Sequence, residues 1–226
     1  MSKSPKMLSL DTPWAIGEEK YSEILQALSG IKVEKIIEFG SGRSTVRLQQ
    51  DFPNAQIISI ENKEEFYTET LELLQNHQAK NVVVLHRPIK QIRIGIRSYL
   101  TYSLKSEDLN GDIDFALIDG PVESETLRGR EAPLYMIFNR LKVNGLIVLD
   151  DYHRDSSKIV VKNWLNTYGN NLRLLNSSHE GIAVLQKTGN QDLPYFPTLD
   201  SLIDNYLVNS KLLARKIKKY FLVKTK

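Results

Sequence analysis

The stretch IIEFGSGRST, residues 36–45, is the part of the sequence that decides the fold. Residues 33–39 form a short apolar run, which predicts a strand, and residues 45–50 have the apolar spacing of a helix. Gly40 and Gly42 lie between the two, where glycine lets the backbone turn tightly and approach a ligand closely. The first turn of the helix also offers unpaired N–H groups. The stretch therefore predicts a strand, a tight turn and a helix, with a ligand site at the turn.

Strands and helices alternate on both sides of this stretch. A helix is predicted for residues 18–28, because its apolar side chains recur on one face. Further strands are predicted at 56–60, 81–85, 113–118 and 145–149, and further helices at 64–76, 132–141 and 158–168. The strands at 113–118 and 145–149 are continuous apolar runs, which are typical of parallel strands covered on both faces.

The end of the alternating pattern differs from its beginning. Residues 172–175 and 181–185 flank a short polar loop and predict an antiparallel hairpin. The expected fold is α/β, with a Rossmann-like, mostly parallel seven-stranded sheet, a terminal antiparallel hairpin and helices on both faces. Residues 89–109 show no clear period, and we interpret them as a helix or a loop.

Composition restricts the kind of protein this is. The 226 residues are 41% hydrophobic and 25% charged, which is enough for one sizeable core. We expect one domain over residues 1–190 and a helical extension with a basic tail over residues 191–226. Disulfides, thiolate zinc sites and cysteine nucleophiles are excluded, because the chain has no cysteine. No signal peptide is recognised and no apolar run approaches the roughly 20 residues of a membrane span, so we expect a cytoplasmic protein.

Charge says little about partners except at the end of the chain. A net charge of +3 is too small to indicate nucleic acid, and none is expected as a partner. Residues 211–226 are rich in lysine and interleaved with apolar residues. This pattern suits a solvated helix, a contact between copies of the chain, or peripheral binding to the anionic inner face of a membrane. The sequence leaves these three interpretations open.

Two carboxylates accompany the glycine turn. Glu38 lies just before it, and Glu61 follows the second predicted strand roughly 20 residues later, where a carboxylate can accept both ribose hydroxyls of a nucleoside. Enzymes that bind NAD use the same position, but they normally carry Gly-x-Gly-x-x-Gly, and Thr45 stands where the third glycine is expected. This departure disfavours an NAD-dependent oxidoreductase, which stays an alternative together with a non-catalytic cofactor-binding module acting as a partner or scaffold.

The motif Glu-x-Gly-x-Gly-x-x-Thr at residues 38–45 resembles motif I of the class I S-adenosylmethionine-dependent methyltransferases, of the small bacterial, O-methyltransferase-like type. The resemblance extends over residues 18–187, including the terminal hairpin. It implies S-adenosylmethionine as the cofactor, with its ribose on Glu61, and O-methylation of a small molecule or glycan as the activity. The cofactor-binding residues that it implies are Glu38, Gly40, Ser41, Gly42, Thr45, Glu61 and Asp119.

Carboxylates also follow the fourth and fifth predicted strands of the sheet. Asp119 comes directly after residues 113–118, and Asp150 and Asp151 come directly after residues 145–149. Ligands of open α/β sheets bind beyond the carboxyl ends of the strands, so we expect the three carboxylates to meet in one crevice. Three such groups either hold a hard cation such as Mg²⁺ or raise the pKa values of one another. For Asp119, capping of the following turn is the alternative.

This carboxylate pattern resembles the metal-dependent catechol-type O-methyltransferases, which have an Asp after strand four and an Asp-Asn pair after strand five. Asp151 stands in the Asn place, and no lysine matches the catalytic lysine of that family. The resemblance implies a divalent cation such as Mg²⁺ on Asp119, Asp150 and Asp151. The predicted catalytic residues are Asp119, Asp151 and His153, of which His153 is either a general base or a surface side chain.

Residues 89–109, which we interpret as a helix or a loop, carry several polar and aromatic side chains. Arg93, Arg97, Tyr99 and Tyr102 have two interpretations: they line a pocket for an acidic or sugar acceptor, or they lie on a solvated helix face. Nothing else in the sequence indicates which acceptor is used.

Overall fold

A central sheet of seven strands organises the part of the chain that the computed structural model describes, which is residues 7–12, 14–122, 126, 128–177, 181–191, 194, 206 and 210. In chain order the described strands are β1 (Lys35–Phe39), β2 (Gln56–Glu61), β3 (Val82–His86), β4 (Ile89–Ile94), β5 (Arg97–Tyr102), β6 (Ile113–Ile118), β7 (Leu141–Leu149), β8 (Leu172–Ser177) and β9 (Ala183–Lys187). Two of them, β4 and β5, lie outside this sheet. The helices are α1 (Glu18–Ala27), α2 (Arg43–Asp51), α3 (Glu64–Asn76), α4 (Ala132–Ile137) and α5 (Asp155–Tyr168).

The strand order of the large sheet is β3-β2-β1-β6-β7-β9-β8. The first five of these strands pair in parallel, whereas β9 is antiparallel to both β7 and β8. This confirms the predicted seven-stranded sheet with its terminal hairpin. The chain leaves β1 toward β2 on one side and returns to β6 on the other, so a crevice opens beyond the carboxyl ends of β1 and β6.

Helices cover both faces of the sheet, as predicted. Along β1, the side chain of Ile36 belongs to one hydrophobic cluster and those of Ile37 and Phe39 to another, because successive side chains of a strand point to opposite faces. The Ile36 cluster includes residues of α1 and α2, and the other includes residues of α4 and α5. Burial on both faces explains why the central strands are continuous apolar runs.

The segment interpreted as a helix or loop is neither. Strands β4 and β5 form a separate antiparallel pair, and the side chains of Arg97, Tyr99 and Thr101 alternate inward along β5. Two of these buried side chains are polar: the Thr101 hydroxyl donates to the carbonyl oxygen of Gly129, and Arg97 lies 3.4 Å from Glu131. The period of two was hidden in the sequence because tertiary partners make polar residues acceptable on the buried face.

Element boundaries differ most after Arg130. The helix predicted to reach residue 141 ends at Ile137 and continues as one 3-10 turn, Phe138–Arg140. Strand β7 then begins at Leu141 rather than at residue 145, because Leu141 pairs with Ile113 at the start of β6. Among the described residues no helix is both long and apolar enough to cross a membrane. The predicted extension and its basic tail lie almost wholly outside the described residues.

Candidate functional site

The glycine turn brings two strand ends into close contact. The backbone nitrogens of Asp119 and Gly120 both donate to the carbonyl oxygen of Phe39, and Gly40 has a φ of +99°. A Cβ at Gly40 would lie 3.0 Å from the backbone nitrogen of Gly120, a tight contact that would require the backbone to shift. A Cβ at Gly42, by contrast, would meet nothing within 4 Å. The close packing of the turn therefore requires a glycine at position 40. At Gly42, in contrast, the absence of a side chain leaves open space in front of the turn.

Glu38, in β1 just before the turn, forms hydrogen bonds that hold the turn in place. Its carboxylate is completely buried and accepts hydrogen bonds from the hydroxyls of Ser44, Thr45 and Ser59. Burial raises the pKa of Glu38 to about 7, although the three hydroxyl donors act in the opposite direction. Glu38 and Thr45 thus lie behind the residues that line the adjoining cavity. They hold the loop in shape, and direct binding of a cofactor by either residue stays a prediction.

Glu61 lies at the end of β2 and faces the turn. One carboxylate oxygen accepts from the backbone nitrogen of Ser41 at 3.2 Å, and the other accepts from those of Asn62 and Lys63. Burial raises the pKa of Glu61, while these backbone donors favour its ionised form. Its side chain is held in place and still lines the cavity, which is the geometry that a carboxylate needs to accept hydroxyls of a ligand.

One cavity of about 460 Å³ joins the ends of β1, β2, β6 and β7. Its size is in the range of small-molecule sites. Gly40, Ser41, Gly42 and Glu61 line one part of it. The remaining walls come from residues before α1, from α1, α2, α3 and β5, and from the loops after β2, β6 and β7. These further lining residues include Trp14, Lys20, Asn62, Phe66, Thr70, Tyr102, Asp119, Arg130, Asp150, Asp151 and Arg154.

The three aspartates meet as the sequence predicted. Each of Asp119, Asp150 and Asp151 offers a carboxylate oxygen, and these oxygens all lie within 4.8 Å of one another. Burial, together with the negative charge of Asp150, raises the pKa of Asp119, while Arg130 acts in the opposite direction. The position of the cluster is thus confirmed, whereas its role in catalysis or in cation binding stays a prediction.

Three basic side chains that the sequence analysis did not select contact this cluster. Arg130 lies 2.8 Å from Asp151 and 3.3 Å from Asp119. Lys20, which belongs to α1, lies 2.8 Å from Asp150, and Arg154 lies 2.9 Å from Asp151. Neither spacing nor residue type singles out Lys20 or Arg130 in the sequence. Only Arg154, three residues after Asp151, was close enough in the sequence to be noticed.

A buried ion pair holds the loop that carries Arg130. The neighbouring Glu131 is completely buried, and its carboxylate accepts from Arg128 at 2.8 Å, from Tyr135 at 2.9 Å and from Asn163 at 3.0 Å. These partners belong to the loop, to α4 and to α5. The network fixes residues 128–131 against two helices, and Arg130 within this segment lines the cavity.

His153 does not reach the cavity. Its side chain is exposed beside Gly181, where an added Cβ would lie 2.6 Å from the Nδ1 atom, and His153 is not among the lining residues. The structure therefore gives no geometric support to a general-base role, which stays a prediction. Of the residues interpreted as pocket or surface, Tyr102 lines the cavity, Arg97 and Tyr99 are buried beside Glu131, and Arg93 is exposed.

Sequence comparison and structural comparison give different results for this chain. No family model matches it, and a search of curated proteins gives no match. Solved structures do resemble it. They include a precorrin-6y C5,15-methyltransferase from Geobacter metallireducens GS-15, with 16% identity and a TM-score of 0.56 over 81% of this chain and 95% of that one.

Two further structures resemble the chain to a similar extent. Cofactor-bound Rv0187 from MTB has 14% identity and a TM-score of 0.56 over 80% of this chain and 85% of that one. A ribosomal protein L11 methylase from Lactobacillus delbrueckii subsp. bulgaricus has 9% identity and a TM-score of 0.53 over 77% and 82% of the two chains. At these identities the likeness concerns the fold. The chain has the fold of the class I S-adenosylmethionine-dependent methyltransferases.

Proposed function

We propose that this protein transfers the methyl group of S-adenosylmethionine to an oxygen atom of a small-molecule or glycan acceptor. The observation that carries the proposal is the single cavity that contains both the Gly40–Glu61 region and the cluster of Asp119, Asp150 and Asp151. The first region suits a nucleoside ligand and the second suits the handling of a hydroxyl group. Their presence in one space of about 460 Å³ supports a reaction between two ligands rather than binding of one.

The residues around the glycine turn fit the cofactor. Gly42 leaves open space in front of the turn, and Glu61 presents a fixed carboxylate for the ribose hydroxyls. The ring of Phe66 lines the same cavity and suits contact with an adenine ring. When bound, S-adenosylmethionine supplies an electrophilic methyl group. The chain itself has to align the acceptor with that group and to accept a proton.

The proton acceptor that we propose is Asp119. Its carboxylate lines the cavity, and its raised pKa makes it a better base than an ordinary surface aspartate. Asp151 lines the same cavity but is held by both Arg130 and Arg154. Both arginines contact the Oδ2 atom of Asp151, so this carboxylate is less available to an acceptor hydroxyl than that of Asp119.

The rim of the cavity supports a ring-shaped acceptor. Trp14 lines the cavity although 86% of its surface is exposed, which is unusual for so large an apolar side chain. Such a ring can stack on the face of a sugar or an aromatic ring. The similar structures include a precorrin methyltransferase and a ribosomal protein methylase, so the shared fold does not select an acceptor.

Isothermal titration calorimetry with S-adenosylhomocysteine tests the cofactor site. Glu61→Ala should weaken binding by about 1–3 kcal/mol, because it removes a partner of the ribose hydroxyls. Glu65→Ala is the matched control, since Glu65 is an exposed carboxylate at the start of α3 and should leave the affinity unchanged. A wild-type protein that binds NADH and no S-adenosylhomocysteine would instead support the oxidoreductase alternative.

A further inference from the structure

The carboxylate cluster of the cavity is balanced by cations that belong to the chain. Asp119, Asp150 and Asp151 carry three negative charges when ionised, and three basic side chains contact them: Lys20, Arg130 and Arg154. The contacts come from α1, from the loop before α4 and from the loop before α5. Charge repulsion, which led us to expect a metal ion here, is therefore relieved without one.

A divalent cation does not fit this arrangement. Mg²⁺ requires oxygen ligands at about 2.0–2.1 Å in nearly octahedral geometry. One oxygen of each aspartate is already bonded to a basic side chain, and the Oδ2 atom of Asp151 is shared by Arg130 and Arg154. The side chain of Arg130 is only 12% exposed and also donates to the carbonyl oxygen of Pro121. A cation would have to displace Arg130, whose charge is largely buried, and leaving that charge without its carboxylates is costly.

Lys20 has hydrogen-bonding capacity that its protein contacts do not use. Its Nζ atom makes one hydrogen bond in the described part of the chain, to Asp150 at 2.8 Å. An ammonium group has three N–H donors, so two remain. Lys20 lines the cavity and its side chain is 20% exposed, which leaves the ammonium accessible to a bound molecule. The remaining donors are therefore available to an oxygen atom of a ligand.

We infer that Lys20 and Arg130 take the place of a divalent cation in this cavity, and that Lys20 donates a hydrogen bond to the reacting oxygen of the acceptor. The first half of the inference concerns charge balance alone. The second half rests on the proposed methyl transfer. An ammonium group beside the acceptor oxygen stabilises the negative charge that develops as a hydroxyl loses its proton, which is the role that a metal ion has in other sites.

Calorimetric titration with Mn²⁺ or Mg²⁺ alone tests the first half. Wild-type protein should show no saturable binding, whereas Lys20→Met should gain saturable binding of the ion, because it uncovers an oxygen of Asp150 and removes a nearby positive charge. Arg130→Met is a second variant of the same kind, and thermal melting establishes that each variant is folded. Lys105→Met is the control, since Lys105 is an exposed lysine that pairs with Glu107 and does not line the cavity.

Methyl-transfer kinetics test the second half. Lys20→Met should lower kcat/KM for the acceptor by about tenfold or more and leave the affinity for S-adenosylhomocysteine unchanged. Lys20→Arg keeps the positive charge and should therefore retain part of the activity that Lys20→Met loses. Excess chelator should not change wild-type activity. Saturable metal binding by the wild type, or a Lys20→Met variant that binds metal no better, overturns the charge-balance inference. Absence of S-adenosylhomocysteine binding would contradict the proposed function and leave the metal titration valid.

Discussion

The two parts of the cavity are assembled in different ways. Around the glycine turn, Glu38 contacts Ser44 and Thr45, six and seven residues away, and Ser41 contacts Glu61 twenty residues away. In the aspartate cluster, Lys20 contacts Asp150 across 130 residues. Local sequence can specify the first kind of site, whereas the second exists only when distant elements have packed together.

The two parts of the cavity also differ in which elements supply the partners of their charged and polar groups. The carboxylate of Glu38 and the backbone nitrogen of Ser41 have their partners in α2 and β2, the two elements that follow the turn in the sequence. The cluster needs cations from α1 and from two loops, and one of those loops is held by the buried Glu131. A substitution in the turn should therefore disturb one compact unit, and a substitution in the cluster should disturb contacts between elements.

The largest effect that we expect is that of Gly40→Ala. The new Cβ would approach the backbone of Gly120 to 3.0 Å, and a φ of +99° is unfavourable for alanine, so the free energy of unfolding should fall by about 2–4 kcal/mol. Urea denaturation measures this loss. Gly42→Ala is the matched control, because its Cβ meets open space, and it should cost less than ~1 kcal/mol. Equal losses in the two variants would contradict the close packing of the turn.

Glu38→Gln should change the pH dependence of stability. The pKa of Glu38 is raised from 4.5 to about 7, so the native chain keeps a proton that the unfolded chain releases. The wild-type free energy of unfolding should then fall by ~3 kcal/mol as the pH rises from about 4.5 to about 7.

Glutamine has no proton to lose, so the variant should lack this part of the decline. Denaturation at a series of pH values, with Glu65→Gln as an exposed control, measures the difference between the two curves. Parallel curves for wild type and Glu38→Gln would show that Glu38 does not hold a proton in the native state.

Arg130→Met tests the cluster of distant contacts. Removing the guanidinium leaves Asp119 and Asp151 with fewer positive partners, so the free energy of unfolding should fall by about 2 kcal/mol at pH 8. This is less than the 3–5 kcal/mol typical of fully buried pairs, because the cavity admits water. The loss of unfolding free energy should be smaller at pH 5, because Asp119, whose pKa is raised, is then protonated and no longer needs a positive partner. Arg93→Met, at an exposed arginine of β4, should have no such effect.

The smallest effect should be that of His153→Ala. Because His153 is exposed and does not line the cavity, stability should change by less than ~0.5 kcal/mol and methyl transfer should stay near the wild-type rate. Asp119→Asn, in comparison, should reduce the rate strongly if Asp119 accepts the proton. A loss of activity in His153→Ala as large as that in Asp119→Asn would restore the general-base hypothesis for His153.

Prediction from the sequence succeeded where local pattern and burial agree. Helix α3 begins and ends at the predicted residues, Glu64 and Asn76, and its Thr70 and Leu74 are buried. Strand β6 also has its predicted bounds, because both of its faces are covered and all of its residues are buried. Prediction failed for β5, where Arg97 and Thr101 are buried among polar partners that lie more than 25 residues away.

The amino-acid pattern alone was sufficient for the strands and helices of the seven-stranded sheet, for the glycine turn and for the meeting of Asp119, Asp150 and Asp151. These features depend on local periodicity, on backbone freedom at Gly40 and on the rule that carboxyl ends of parallel strands share an edge. The cations opposite the aspartates could be identified only in the folded chain. Lys20 and Arg130 reach the cluster through the packing of α1 and through the loop that Glu131 anchors, and electrostatic partners chosen by packing have no fixed spacing in the sequence.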